Sequence, residues 1–122
     1  MIKDSLSIKV NQEFEKEVEL EKAVGHYFLE HGFFCQKTPK LKTYGNRKLS
    51  GPLSLNGSPD LYLIVSGFYV GLEIKLINGR QSDFQKEFER LIRKAGGLYF
   101  KILSLEDARI VHLALKERFN LR

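Results

Sequence analysis

Gly57-Ser58-Pro59-Asp60-Leu61-Tyr62-Leu63-Ile64-Val65-Ser66-Gly67-Phe68-Tyr69-Val70-Gly71-Leu72-Glu73-Ile74-Lys75 holds two apolar runs separated by Ser66-Gly67. A two-residue connection containing glycine between apolar runs is a favoured β-hairpin signal. With Val65 opposite Phe68, partner numbers sum to a constant, and Asp60 falls opposite Glu73. Opposed residues share a face, with Cβ atoms roughly 5 Å apart. Lys75, two residues beyond Glu73, points the same way. Two carboxylates beside a lysine can hold a divalent cation and position a water, or they can form a solvated salt-bridge cluster. The other face would carry Leu61, Leu63, Val65, Phe68, Val70, Leu72 and Ile74, a core face without one polar side chain. On the first face, Tyr62, Ile64, Tyr69 and Gly71 accompany the charges, so part of it should be covered.

Around this hairpin the remaining chain reads as helices and short strands. Residues from about Gln12 to His31 have helical periodicity. Phe14, Val18, Val24 and Phe28 form a stripe flanked by Leu20 and Leu29, with Glu17 and Glu21 in its middle, one turn apart. Carboxylates on a packed face need partners, so the stripe is expected against the sheet face bearing Asp60, Glu73 and Lys75. A strand is expected around Phe33 to Lys37. After Lys75, Asn78-Gly79 reads as a turn, and Ser82-Asp83-Phe84-Gln85 has capping-box spacing. The helix it opens should run to about Ala95, with Phe84, Phe88, Leu91, Ile92 and Ala95 on one face and Gly96-Gly97 at its end. Leu98 to Leu103 is a strand, and Ser104 caps a last helix reaching about Phe119. The expected fold is α/β, an αβββαβ core plus a C-terminal helix, with a mixed central sheet flanked by helices on both faces. Residues 13–122 form a single domain and 1–12 a loose arm.

Composition narrows the setting. At 122 residues, 43% hydrophobic and 29% charged, the chain has the profile of a soluble globular domain. No stretch resembles a membrane span, and the first residues lack a signal peptide's apolar segment. Cys35 is the sole cysteine, which excludes an intrachain disulfide and suits a reducing cytoplasm. His26, His31 and His112 show no ligand spacing, which argues against zinc. A net charge of +5 fits a polyanionic partner. Lys37, Lys40, Lys42, Arg47 and Lys48 lie with Tyr44 in a stretch that has no acidic residue between Gln36 and Pro59. That basic run leads straight to Asp60 and is a candidate DNA-binding loop.

Taken in order, these motifs resemble the VRR-Nuc family of the PD-(D/E)xK nuclease superfamily, in its small stand-alone, virus-type form. The resemblance rests on a first-helix glutamate (Glu17 or Glu21), Gly57-Ser58-Pro59-Asp60, Glu73-Ile74-Lys75, and Gly79-Arg80-Gln81-Ser82-Asp83-Phe84-Gln85. The chain departs from the family where a helix glutamine is expected and Glu21 stands. The resemblance implies a restriction-endonuclease-like fold and a Mg²⁺- or Mn²⁺-dependent DNA endonuclease, structure-selective for four-way or other branched DNA. It further implies a homodimer working in recombination or repair, in a bacterial or phage-infected cytoplasm. Asp60, Glu73, the main-chain carbonyl of Ile74, and Glu17 or Glu21 would hold the metal. Lys75 would orient or deprotonate water, and Gln85 would orient the site, complete the capping box, or both. The alternatives are a catalytically weak nucleic-acid-binding module of the same fold and a sequence-specific restriction-type nuclease.

Overall fold

The computed structural model describes residues 14–39 and 57–122. The loose arm at 1–12 and the basic residues Lys40, Lys42, Tyr44, Arg47 and Lys48 lie outside the described residues. Within them the chain runs α1 (Glu17–Glu30), β1 (Phe34–Lys37), β2 (Leu61–Val65), β3 (Phe68–Ile74), α2 (Asp83–Lys94), β4 (Leu98–Ile102) and α3 (Leu105–Phe119). The four strands form one sheet in the order β1-β2-β3-β4. The first two pairings are antiparallel and β3–β4 is parallel, with α2 as the crossover. The described residues thus form a mixed α/β fold with three helices. No helix among the described residues is long and apolar enough to cross a membrane.

The hairpin has the register expected from its sequence, with Val65 opposite Phe68 and Tyr62 opposite Gly71. Ser66 and Gly67 take φ of 51° and 84°, the double positive φ of the turn that matches strand twist. A serine at positive φ is strained, whereas asparagine tolerates it. Ser66→Asn should therefore raise stability by about 0.5 kcal/mol, read as a higher urea midpoint at unchanged slope.

Alternation along the strands sorts the sheet into two faces. Leu61, Leu63, Val65, Val70, Leu72 and Ile74 are buried on one and join Leu20, Val24 and Phe28 of α1 and Ala108, Val111 and Leu115 of α3 in one core. Phe68, expected on this face, is 41% exposed at the hairpin tip and packs on Phe119. Cys35 is buried beside the core, and burial pushes its thiol up to about 11, which keeps it unreactive.

Two expectations for α1 are corrected. The helix begins at Glu17, so Phe14 precedes it and does not share its phase. The buried stripe is Leu20, Glu21, Val24 and Phe28, while Val18 and Leu29 are about half exposed. The helix also packs on the apolar face, not on the face that carries Glu73. A wholly apolar sheet face offers more hydrophobic burial than one interrupted by charges, and Leu20, Val24 and Phe28 take it.

The Glu73 face is covered by α2. Its N-terminus has a complete capping box: Ser82 Oγ accepts from the Gln85 N–H at 3.2 Å, and Gln85 Oε1 accepts from the Ser82 N–H at 2.8 Å. No residue of α2 is fully buried, and Phe84 is 62% exposed. The helix thus lies on the sheet rather than being embedded in the core, and polar contacts help hold it there. Arg93 donates to the Tyr99 carbonyl at 2.9 Å and to Glu89 at 2.9 Å, while Gln81 donates to Glu89 at 3.1 Å.

Candidate active site

At the end of the hairpin opposite its turn, Asp60 and Glu73 meet. Asp60 lies one residue before β2, and Glu73 is the penultimate residue of β3. The register that pairs Leu61 with Leu72 continues to bring them together. Asp60 Oδ2 accepts from the Ile74 N–H at 2.8 Å, and the Asp60 carbonyl accepts from the Thr38 N–H at 2.9 Å. Asp60 is therefore held from both sides, its carboxylate by β3 and its backbone by the residue that follows β1.

Glu73 is 1% exposed. Its two oxygens have separate donors: Gln85 Nε2 to Oε1 at 2.8 Å and the Tyr99 hydroxyl to Oε2 at 3.2 Å. Burial, then the Asp60 charge and a hydrogen bond with the Asp60 carboxyl, push the Glu73 carboxyl up to about 8, against the opposing pull of Lys75 and Tyr99. Near neutral pH Glu73 therefore keeps a proton and shares it with Asp60, as expected for adjacent carboxyl groups removed from water.

Gln85 makes two contacts, one in the cap and one with Glu73. Its Oε1 is committed to the cap of α2, which leaves Nε2 aimed at Glu73. The amide orientation follows from the bonding network. Sequence reasoning missed Tyr99 and Gln81 in this arrangement. Gln81 Nε2 donates to the Tyr99 hydroxyl at 3.0 Å, which in turn donates to Glu73. Tyr99 sits beside Gly71 in the parallel pairing, on the same face as Glu73. Its hydroxyl is held well above the ordinary phenol range, first by burial and then by the Glu73 charge. A parallel register depends on the crossover helix, so no local sequence signal could have singled out Tyr99.

Two glycines make these contacts possible. A Cβ on Gly71 would lie 2.6 Å from Pro59 Cγ, so the proline just before Asp60 rests on β3 backbone. Gly57 has a φ of +82°, and a Cβ there would lie 2.3 Å from the Phe84 carbonyl oxygen. The loop that delivers Asp60 is thereby seated against the first turn of α2, which delivers Gln85.

Lys75 follows directly, its N–H donating to the Ile102 carbonyl at 3.0 Å, which continues β3 alongside β4. Its charge acts on Glu73. Gly79 approaches the lysine stem, where a Cβ would lie 3.2 Å from Lys75 Cδ. The Ile74 side chain is buried in the core, so its main chain runs between Glu73 and Lys75.

The first-helix glutamates separate cleanly. Glu17 is exposed, whereas Glu21 is 8% exposed and pairs with Lys37 Nζ at 3.2 Å. That ion pair compensates a carboxylate buried between α1 and the apolar side of the sheet, the role earlier expected of the Asp60 face. Lys37 is the one basic residue of the expected DNA-binding loop that is described, and Glu21 engages it. Among the described residues, no group of three or more His, Cys, Asp or Glu side chains could hold a metal ion. The fit of a divalent cation thus rests on the Asp60–Glu73 pair. A buried Glu73 sharing a proton with the half-buried Asp60 supplies hard oxygen donors able to exchange that proton for a cation, and Mg²⁺ commonly uses one or two carboxylates with water and substrate oxygens filling the remaining positions.

A second cluster was hidden by sequence distance. His31 and His112, far apart in the chain, have ring centroids 4.7 Å apart, and Tyr27 Oη lies 2.8 Å from His112 Nδ1. His31 Nδ1–H donates to the Tyr27 carbonyl at 2.7 Å. Burial, followed by the His31 and Lys116 charges, lowers the His112 pKa. This cluster lies toward the hairpin turn, away from Asp60 and Glu73.

The arrangement is a mixed α/β fold with a proton-sharing carboxyl pair at a strand end, Glu73 buried and Asp60 half-buried, flanked by a lysine and an anchored glutamine. Comparison of the chain with protein-family models, curated proteins and solved structures finds no match.

Proposed function

We propose that this chain is a divalent-metal-dependent DNA endonuclease with a restriction-endonuclease-like core, of the VRR-Nuc kind, acting on branched DNA. The observation that carries the reading is the contact of buried Glu73 with half-buried Asp60, kept in register by the hairpin, with Lys75 next to it. A pair of carboxyl groups that must share a proton is unfavourable for folding alone, and a site for a cation gives it a purpose.

Asp60, Glu73 and the Ile74 carbonyl would hold Mg²⁺ or Mn²⁺. The bound cation would supply Lewis acidity toward the phosphate and lower the pKa of a water. The Ile74 N–H fixes Asp60, while Gln85 and Tyr99 fix the two Glu73 oxygens. Lys75 orients the attacking water and counters the negative charge that grows on the phosphate. Glu21 stays with Lys37 as a structural pair, and Glu17 faces solvent. Two copies of the chain would be needed for paired cuts at a junction, and the mass in solution would reveal them.

The test is cleavage of labelled four-way junction, flap, linear duplex and single-stranded DNA with Mg²⁺, Mn²⁺ or EDTA. Wild type should cut branched DNA with metal only. Asp60→Asn should be inactive, and Lys75→Ala should lose at least about a hundredfold in rate with folding and DNA binding intact. Undiminished cutting by Lys75→Ala would remove that lysine from the mechanism. The second reading, a nucleic-acid-binding module without catalysis, draws on the lack of a three-carboxylate group among the described residues. Salt-sensitive DNA binding, unchanged in Asp60→Asn and without product, would establish it.

A further inference from the structure

The two histidines that meet near the hairpin turn share a hollow of about 330 Å³ with Lys116 and Arg122. It lies where α1 and α3 both end. His31 is the first residue past α1, Lys116 belongs to the last turn of α3, and Arg122 follows that helix. His112 and Lys116 stand four residues apart on α3 and so share a helix face. Phe33 and Ser66 form other parts of the wall. No acidic residue lines the hollow, and neither Lys116 nor Arg122 has an ion-pair partner among the described residues. Elsewhere Lys37, Arg90, Arg93 and Arg109 each hold a carboxylate.

Helix ends alone do not account for this gathering of cations. Each helix C-terminus carries roughly half a negative charge, so α1 and α3 together offer about one. Lys116 balances it, and Arg122 stands in excess, as does either imidazole once protonated. The like charges act on one another: after burial, His31 and Lys116 lower the His112 pKa. Hydrogen bonding fixes what the rings present. His31 Nδ1–H donates to the Tyr27 carbonyl, and the Tyr27 hydroxyl engages His112 Nδ1, so Nε2 is the remaining polar atom of each ring. Two imidazoles beside two fixed cations make a poor metal site, and no third His, Cys, Asp or Glu joins them among the described residues. A tetrahedral oxyanion suits the hollow better. Its oxygens point several ways and accept from an ammonium, a guanidinium and protonated imidazoles arriving from separate elements.

We propose that this hollow binds a phosphate group, held by Lys116 and Arg122 with His31 and His112 as further donors. Five residues of strand separate it from Asp60, roughly 17 Å, and the inference does not depend on the nuclease reading. Because the His31 Nδ1 proton is given to the Tyr27 carbonyl, the neutral ring offers only a lone pair at Nε2. It must take up a proton to donate there, so phosphate binding draws a proton onto His31. The groups around the two rings are Tyr27 and exposed Glu30 from α1, Lys116 from α3, and Arg122. Arg109 and Glu106 of α3 act on Tyr27 and pair with each other. The strands and the hairpin turn contribute no titratable side chain to the lining.

Histidine-ring NMR of the full chain tests it, with inorganic phosphate titrated at constant ionic strength against a sodium chloride reference. The His31 and His112 ring signals should move saturably, while exposed His26 should stay in place. Phosphate should raise the titration midpoint of both rings by roughly half a unit. Lys116→Gln and Arg122→Gln should each weaken phosphate binding by about fivefold or more and keep a cooperative thermal transition. Lys94→Gln, at the far end of α2, should bind as wild type does. A deoxyoligonucleotide without terminal phosphates that moves the same rings at lower concentration than inorganic phosphate would make a nucleic-acid backbone the source. Thymidine monophosphate doing so instead would make it a free phosphomonoester, and either result sustains the proposal. No saturable shift, the same shift with chloride, equal movement of His26, or unchanged affinity in both Lys116→Gln and Arg122→Gln would overturn it. So would rings that respond to Zn²⁺ and not to phosphate.

Discussion

Replacing Glu73 by glutamine should stabilise the metal-free protein at pH 8 and abolish its response to Mg²⁺ and Mn²⁺. An ordinary glutamate releases its proton near 4.5, whereas folded Glu73 keeps it to about 8. Between those values the folded state binds more protons than the unfolded one, so stability falls as pH rises. Over the whole window the loss from this one group is on the order of 3–5 kcal/mol, a large share of the roughly 5–15 kcal/mol that a small domain possesses. Glutamine imitates the protonated acid: its amide can donate to Asp60, and its oxygen can still accept from Gln85 or Tyr99. In EDTA the wild-type melting temperature should drop from pH 5 to pH 8, and that of Glu73→Gln should change much less. Wild type should regain stability at pH 8 on adding Mn²⁺, because a cation replaces the shared proton, and the variant should not. A variant less stable than wild type at pH 8 in EDTA would show that Glu73 is ionised in the fold and held as a structural ion.

Gly57→Ala should be the most damaging single-methyl addition in the hairpin approach. Its backbone sits at φ +82°, and the added carbon would meet the Phe84 carbonyl oxygen at 2.3 Å and the Gln85 nitrogen at 2.8 Å. Those atoms belong to the backbone of the first turn of α2, which cannot rotate away as a side chain would. Gly32 is the matched control: its φ is +83°, with nothing within 4 Å of an added Cβ. Gly32→Ala should cost about 1–2 kcal/mol from backbone strain alone, whereas Gly57→Ala should cost roughly 3 kcal/mol or more, as strain and collision add. Chemical denaturation of the two variants gives the comparison. Gly57→Ala should also lose its metal response at temperatures where it remains folded, because the Asp60 loop and the Gln85 amide would separate. Equal costs for the two substitutions would show that the loop does not bear on α2.

The contrast between these glycines illustrates how far the sequence was legible. The capping box of α2, the Ser104 cap and the Asp60–Glu73 opposition all arise from spacings of a few residues, where backbone geometry leaves few alternatives. Gln85 could be placed at the third position of its helix, but its free amide hydrogen atoms found Glu73 only once α2 had docked. A stripe phased on Phe14 is misphased because that residue precedes α1; phased on Leu20, Val24 and Phe28, the buried side leaves Val18 about half exposed.

By itself the sequence determined the order of elements, the hairpin register and the carboxyl pair that follows from it, because these depend on local periodicity and turn chemistry. The tertiary structure decided which sheet face each helix covers, since that choice compares burial on two faces at once. It therefore also decided that Glu21 pairs with Lys37, and that Tyr99 and Gln81 reach Glu73 through the parallel strand. Each of these needs residues from separate elements to be brought within hydrogen-bond distance, and only packing supplies that.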